Sequence, residues 1–297
     1  MADALPSLDQ VTVVIVTYNS SHCIADLGRS LKDFVHVVIS DNASEDGTAQ
    51  AVRNAIPQAL WLAHEKNLGF GAANNRALVQ VTTPYAMLLN PDCEISSAAV
   101  LSMLAYMQLD KNAAIVAPQI MRSQDALELS YRWPRSIWQA NGPAAEAPCC
   151  VGFVTGAAML FRLSRFTEIG FFDEDFFLYY EDEDLCLRLF EAKCSIVVLP
   201  SVRLKHSSRG SVRGKHPLRA EYGRGYHHVQ SKILFVHKHG SAEEAQRLLR
   251  RTLAKACVGL PFRLLLPVPR LVARWCGRIA GAWAMRNRVR AKAAIQS

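Results

Sequence analysis

A chain of 297 residues, half of them hydrophobic, has the apolar content for a large core in one domain or two, and is not a disordered protein. Its net charge of +8 conceals an asymmetry: residues 1–202 sum to −10 and residues 203–297 to +18, so the C-terminal part suits an anionic partner. The eight cysteines form no CxxC pair, which argues for a reducing compartment and against a zinc site; the opening MADALPSLDQ lacks the pattern of a signal peptide. No run reaches the roughly 18 uncharged apolar residues of a membrane span.

Residues 11–16 (VTVVIV) are a β-branched run, the pattern of a strand buried on both faces. Thr17-Tyr18-Asn19-Ser20 follows, and Asn19 or Ser20 is placed to cap a helix over residues 21–32. A second strand at 35–40 opens into the polar loop from Asp41 to Thr48, and a helix over 48–54 comes next. A short strand at 60–63 leads through Asn67-Leu68-Gly69-Phe70-Gly71 and Asn74-Asn75 into a helix reaching Val79. Residues 85–89 predict a fourth buried strand, stopped at Asn90-Pro91 because proline cannot continue sheet pairing.

Asp92 and Glu94 stand just past that edge. Hard cations need carboxylate oxygens, and Mg²⁺ takes one or two of them alongside substrate phosphates. A merely acidic, solvated turn is the plain alternative. Strands alternating with helices at this rhythm predict an αβα sandwich around a mostly parallel sheet, whose ligand edge lies outside the carboxyl ends of its strands. The GxGxxG of a dinucleotide site is missing after strand one, where TYNS stands instead.

Residues 98–109 form an apolar helix and 113–117 a further strand. Residues 122–150 are irregular and carry Trp133 and Trp138, suited either to stacking on a sugar or to core packing. Residues 151–162 return as a glycine-containing strand, in which Gly152 or Gly156 allows close approach of a ligand. Glu181-Asp182-Glu183-Asp184 then open a helix whose apolar face is Leu185, Leu189 and Ala192. Acids are favoured at a helix start, but four together repel one another and exceed what capping needs. Asp184 has an i,i+4 partner in Arg188. A strand at 195–199 precedes His206.

Together the segments VVIVTYNS, SDNASEDGT, NLGFGAANN, LLNPD, TGAAMLFR, FFDEDFFLYYEDEDLCLRL and Leu204-Lys205-His206 resemble, in order, the family 2 glycosyltransferases with their GT-A fold. Asn-Pro-Asp in place of Asp-x-Asp is similar to the rhamnosyltransferase branch of bacterial surface polysaccharide assembly; Asn90 puts a neutral oxygen where the first carboxylate usually stands. The resemblance implies a catalytic domain over 1–215, with a nucleotide-binding half to about 95 and an acceptor half beyond it. It implies that Thr17, Tyr18, Asn19, Asp41, Asn67, Gly69, Asn74 and Asn90 bind a dTDP or UDP sugar. Asp41 would accept the base N3–H, although an Asx turn is its other role. A capping amide is likewise the other role of Asn74. Asp92, with His206, would hold Mg²⁺ or Mn²⁺ against the diphosphate, and Arg209 and Ser211 stand near enough in sequence to meet it. Asp182 would be the general base of an inverting transfer, L-rhamnose among the candidate sugars, to a polyprenyl-diphosphate-linked saccharide.

Residues 218–239 are helical in pattern, with Tyr222, Tyr226, Val229, Ile233 and Val236 on one side. Beyond Ser241, arginines interleave with Leu, Val, Trp and Pro, and Pro261, Pro267 and Pro269 are expected to break the run into two or three helices. Basic amphipathic helices over 216–297 suit an anionic membrane surface, which places the protein on the cytoplasmic face of the cell membrane. Self-association, as a homodimer, is the second reading of this tail. Its apolar content argues against nucleic acid. Two other functions stay open: an inactive nucleotide-sugar-binding scaffold at the membrane, and a sugar-phosphate nucleotidyltransferase. The latter would want a basic glycine-rich loop after strand one.

Overall fold

A computed structural model of the chain describes residues 5–122, 126–132, 144–206, 216–265 and 268–289. They fall into two compact units, one within residues 1–173 and 182–213, the other within 174–181 and 214–297. The elements of the first unit are β1 (Val11–Thr17), α1 (Ser21–Ser30), β2 (Val37–Asp41), α2 (Thr48–Ala55), β3 (Leu60–Ala63), α3 (Phe70–Leu78), β4 (Tyr85–Leu89) and β5 (Cys93–Glu94). Next come α4 (Ser97–Leu109), β6 (Ala113–Met121), β7 (Tyr131–Arg132), β8 (Cys149–Cys150), β9 (Phe153–Val154), β10 (Ala158–Arg162), α5 (Glu181–Glu191) and β11 (Ser195–His206). The second unit holds α6 (Pro217–His239), α7 (Ala242–Leu265) and α8 (Pro269–Ala284).

The main sheet runs β3-β2-β1-β4-β10-β6-β11-β5, with β8 on β11. The pairs β2–β3, β1–β2, β1–β4 and β6–β11 are parallel, while β10 runs against both β4 and β6. Alternation along β1 divides the core. Val11, Val13 and Ile15 pack with Ile24, Leu27, Val52 and Met103 on one face, and Val14 packs with Ala77, Leu185 and Leu189 on the other. Strand order reverses beside β1, since β2 lies on one side and β4 on the other. The loops after β1 and β4 therefore flank the crevice where ligands enter such sheets.

Several local expectations are corrected. Ser20 is the N-cap of α1 but makes no capping bond: its hydroxyl accepts from the amide of Tyr18, and Asp46 from the neighbouring loop takes the amide of Ser21 instead. The expected strand over 151–162 is two strands, because β9 pairs with β7 while β10 joins the main sheet. The strand from Ser195 does not end at Leu199. A register shift between Leu199 and Arg203, at Pro200, carries it on to His206. Pro261 lies inside α7 rather than ending it. The bond it removes is to the carbonyl of Cys257, an exposed residue whose carbonyl water can satisfy.

In the second unit α6 and α8 meet backbone to backbone. A Cβ on Gly225 would overlap the carbonyl of Arg274, and one on Gly277 or Gly281 would overlap the carbonyls of Tyr222 and Tyr226. Val229 and Ile233 of the expected apolar face are buried, whereas Tyr222 is exposed. Glu221 ties the same helices by ion pairs to Arg224 and Arg274. Among the described residues no helix is long and apolar enough to cross a membrane.

Candidate functional site

Thr17 and Asp41 are paired in register at the ends of β1 and β2, which puts their side chains in contact. Thr17 Oγ1 donates to Asp41 Oδ1 at 2.7 Å; Ser44 adds its hydroxyl to Oδ1 at 2.6 Å and its amide to Oδ2 at 2.9 Å. The Asp41 carboxylate is 4% exposed, and three of its roughly four lone-pair positions are taken. It therefore builds an Asx-type turn and keeps one acceptor position on Oδ2. Asn19, with φ of 51°, joins the two loops: its amide donates to Ser44 Oγ at 2.8 Å and its Oδ1 accepts from Glu45 N at 2.9 Å. Burial works against the charge of Asp46, but donors from Thr48 and Ser21 outweigh it and hold that carboxyl below its usual range. Thr17 is buried; Tyr18 is the exposed side chain of the segment.

Asn42, next to Asp41 at the end of β2, organises the next element. Its amide donates to the carbonyl of Gly69 at 3.0 Å and its Oδ1 accepts from Leu68 N at 3.1 Å. Asn67 accepts from Gly69 N at 2.9 Å, and Gly69 has φ of 90°, a backbone that favours glycine. Asn74 is 2% exposed and donates to the carbonyl of Phe70 within α3. Asn75 clasps Phe172 through both its amide groups, at 2.8 and 3.1 Å.

At the end of β4 the amide of Asn90 donates to Ala157 O at 2.9 Å, and its carbonyl accepts from Cys93 N at 3.0 Å. This tight turn starts β5, which pairs antiparallel with the extended end of β11, Cys93 opposite His206. That pairing delivers His206 Nε2 to 3.6 Å from Asp92 Oδ1. Ligand atoms of Asp92, Cys93 and His206 all lie within 4.8 Å of one another. Burial, reinforced by the Asp92 charge, pushes the Cys93 thiol well up and keeps it protonated. A carboxylate and an imidazole remain, a donor set that fits Mn²⁺ or Mg²⁺ completed by phosphate oxygens.

The acids at the start of α5 are dispersed onto separate partners. Glu183 pairs with Arg132 at 2.7 Å, and that guanidinium lies 4.2 Å over the ring of Phe153. Asp184 pairs with Arg188 at 2.9 Å, and Arg188 also donates to the carbonyls of Ile169, Gly170 and Phe171. Asp182 is held by backbone amides, Gly156 N to Oδ2 at 3.1 Å and Glu183 N to Oδ1 at 2.9 Å. Burial raises the Asp182 carboxyl above the usual range, against the pull of those amides and of Arg132. A Cβ on Gly156 would stand 3.2 Å from the ring of Phe70, a tight contact. Sequence reasoning missed Arg132, whose only signal was a cation close to the aromatic segment. Arg209, Ser211, Trp133 and Trp138 lie outside the described residues.

The approach to α5 is unusual. Tyr179 and Tyr180 both have φ of 68°, a region that costs a bulky residue on the order of 1–3 kcal/mol. The segment before them is anchored within the second unit: Ser231 Oγ donates to Leu178 O at 2.8 Å, and Asp175 meets Lys238 and Arg288, each at 2.7 Å.

The sequence model described as Glycosyl transferase family 2 matches residues 12–170, and that described as Glycosyl transferase family group 2 matches residues 92–285. The chain is similar to the N-acetylglucosaminyl-diphospho-decaprenol L-rhamnosyltransferase of Mycobacterium tuberculosis. The two are 28% identical over 276 residues, covering 80% of this chain and 86% of that protein. It is also similar to the rhamnosyltransferase WbbL of Escherichia coli K12, 24% identical over 159 residues, which cover 46% of this chain and 60% of that one. Among solved structures, the mannosyltransferase PcManGT of Pyrobaculum calidifontis, in complex with GDP-Man and Mn²⁺, aligns with a TM-score of 0.56. That alignment covers 96% of this chain and 90% of the other at 16% identity, a likeness of fold.

Proposed function

The chain belongs to glycosyl transferase family 2, and on that premise we propose that it transfers a sugar with inversion from a pyrimidine nucleoside diphosphate to a lipid-linked saccharide. The fold is of the GT-A type. The observation that carries the proposal is the bonding at two adjacent residues: Gly156 holds Asp182, and Ala157 holds Asn90, the first residue of the turn that bears Asp92. A candidate base and a candidate cation site thus hang on one short stretch of chain.

In this reading the open acceptor position of Asp41 takes the base N3–H, and Tyr18 offers its exposed ring to the base. Thr17, Asn19, Asn67, Gly69 and Asn74 hold the loops, and Asn90 fixes the turn beside the diphosphate. Asp92 and His206 would hold Mg²⁺ or Mn²⁺, which when bound offsets the charge developing on the leaving diphosphate. Asp182 removes the proton of the acceptor hydroxyl as its oxygen attacks the anomeric carbon from the face opposite the diphosphate. A carboxyl raised toward the working pH is the better base for this step.

The acceptor class is supported by the Mycobacterium tuberculosis relative, whose name gives a decaprenol-diphosphate-linked N-acetylglucosamine and an L-rhamnosyl group. L-Rhamnose is accordingly the first sugar to test. The strongly basic C-terminal unit supports a position on the cytoplasmic face of the membrane.

The test is thermal unfolding of the full chain with UDP, dTDP, ADP and GDP, with and without Mn²⁺. A bound nucleotide at 100 times its Kd adds about 2.7 kcal/mol. A Mn²⁺-dependent rise with UDP or dTDP alone is the expected result. No rise with either would overturn the donor reading and favour an inactive scaffold, the reading to which Asn90 lends its one argument.

A further inference from the structure

No acidic residue follows Glu244, while arginine and lysine recur from Arg247 to Lys292. Of the arginines on α7 and α8, Arg274 is taken up by Glu221. Arg263 and Arg278 are not: each lies over the ring of Trp275, at 5.5 and 5.3 Å from its centroid, and no described carboxylate pairs with either. The indole is itself fixed by Nε1 donating to Ala256 O at 2.7 Å. Burial, then the charges of Arg274 and Arg263, hold the Arg278 guanidinium below its ordinary value. Two guanidiniums crowded on one half-buried ring repel each other, and an anion placed between them would relieve that cost.

The surroundings are apolar. A shallow, open apolar depression lined by Ala254, Lys255, Val258, Gly259 and Trp275 adjoins this cluster. Phe262 and Leu265 are 67% and 77% exposed, and Leu264, Val268 and Leu271 are exposed as well. An exposed apolar tip beside unpaired arginines is the chemistry of a bilayer interface, where fatty chains and phosphates lie within a few ångströms of each other.

We propose that α7 and α8 together carry a binding site for an anionic phospholipid of the bilayer. Arg263 and Arg278 take the phosphate over Trp275, Lys255 lies along the same groove, and Phe262, Leu264 and Leu265 enter the acyl layer. This deepens the membrane position offered above and rests on it.

The experiment is flotation of the full chain with vesicles of phosphatidylcholine, and of phosphatidylcholine mixed with phosphatidylglycerol. The variant Arg263→Gln/Arg278→Gln is compared with Arg250→Gln/Arg251→Gln, whose residues lie about 18 Å back along α7, beyond a Debye length. The wild-type chain is expected to float with the phosphatidylglycerol vesicles only. The first variant should bind them on the order of thirtyfold more weakly, with an unfolding temperature no lower than wild type because a repulsion has gone. The second should lose only a fewfold. Equal losses in the two variants would overturn the site and leave diffuse membrane attraction standing. No flotation of the wild-type chain would overturn the membrane position itself. Flotation that inorganic phosphate or a polyprenyl diphosphate competes away would assign the arginines to a phosphate other than that of the bulk lipid and overturn the proposal.

Discussion

The amide of Gly156 donates to Oδ2 of Asp182 at 3.1 Å. With the adjoining bond from Asn90 to Ala157, the start of α5 and the end of β4 are fixed by consecutive residues of one strand-to-strand connection. Four expectations follow from this site and from the unit that adjoins it in sequence.

Asp182→Asn keeps an acceptor oxygen for one of the two backbone amides that hold this side chain and removes the proton acceptor. Transfer should fall on the order of 10²–10⁴-fold, with the nucleotide-dependent rise in unfolding temperature retained. Normal turnover in this variant would remove Asp182 from the role of base.

Arg132→Leu removes the cation that favours the charged form of Asp182 and leaves Glu183 without its partner. Both effects disfavour the carboxylate, so the pKa rises. The acidic limb of kcat/KM should move to higher pH. A profile that keeps its position while its height drops would reduce Arg132 to a packing role.

His206→Gln takes away the imidazole that β11 brings to Asp92. Half-maximal activity should need about tenfold or more Mn²⁺, and EDTA should abolish activity in the parent. Equal Mn²⁺ titration curves for parent and variant would show that residue 206 is not a ligand.

Glu221→Gln tests the second unit. Burial costs Glu221 its charge, but the bonds from Arg224 and Arg274 outweigh that and hold its carboxyl below the usual range. Its contribution is therefore full above the unfolded value of about 4.3 and is lost as pH falls through the lower folded value. The variant should be less stable by about 1–2 kcal/mol at neutral pH, discounted for partly exposed arginines, and the two should converge in acid. A constant gap across the range would mean the loss is steric.

The layered core was legible because burial on both faces leaves unbroken apolar runs, β-branched in β1 and β2 and Met/Leu-rich in β4. The carboxylates of the candidate site were legible for a related reason: they stand where those runs stop. What the sequence hid are contacts made across long separations. Arg132 reaches Glu183 over 51 residues, and Asn42 reaches Gly69 over 27, with no local pattern to announce either. The strand expected to stop at Leu199 runs on to His206, because the sheet absorbs the irregularity between Leu199 and Arg203 as a register shift. The glycines that seat α8 on α6 carry no local signal of that role, since close backbone approach is a property of two elements and not of one.

The anchoring of residues 174–181 gives Asp182 a dependence in time. As the chain leaves the ribosome, Asp182 emerges about fifty residues ahead of Ser231 and still further ahead of Arg288, the partners that secure the backward-turned Tyr179-Tyr180 pair. The Tyr179-Tyr180 backbone, which costs bulky residues on the order of 1–3 kcal/mol, therefore gains these particular anchors only once the later helices have emerged. The approach to residue 182 is completed from downstream in the chain, by residues made well after it.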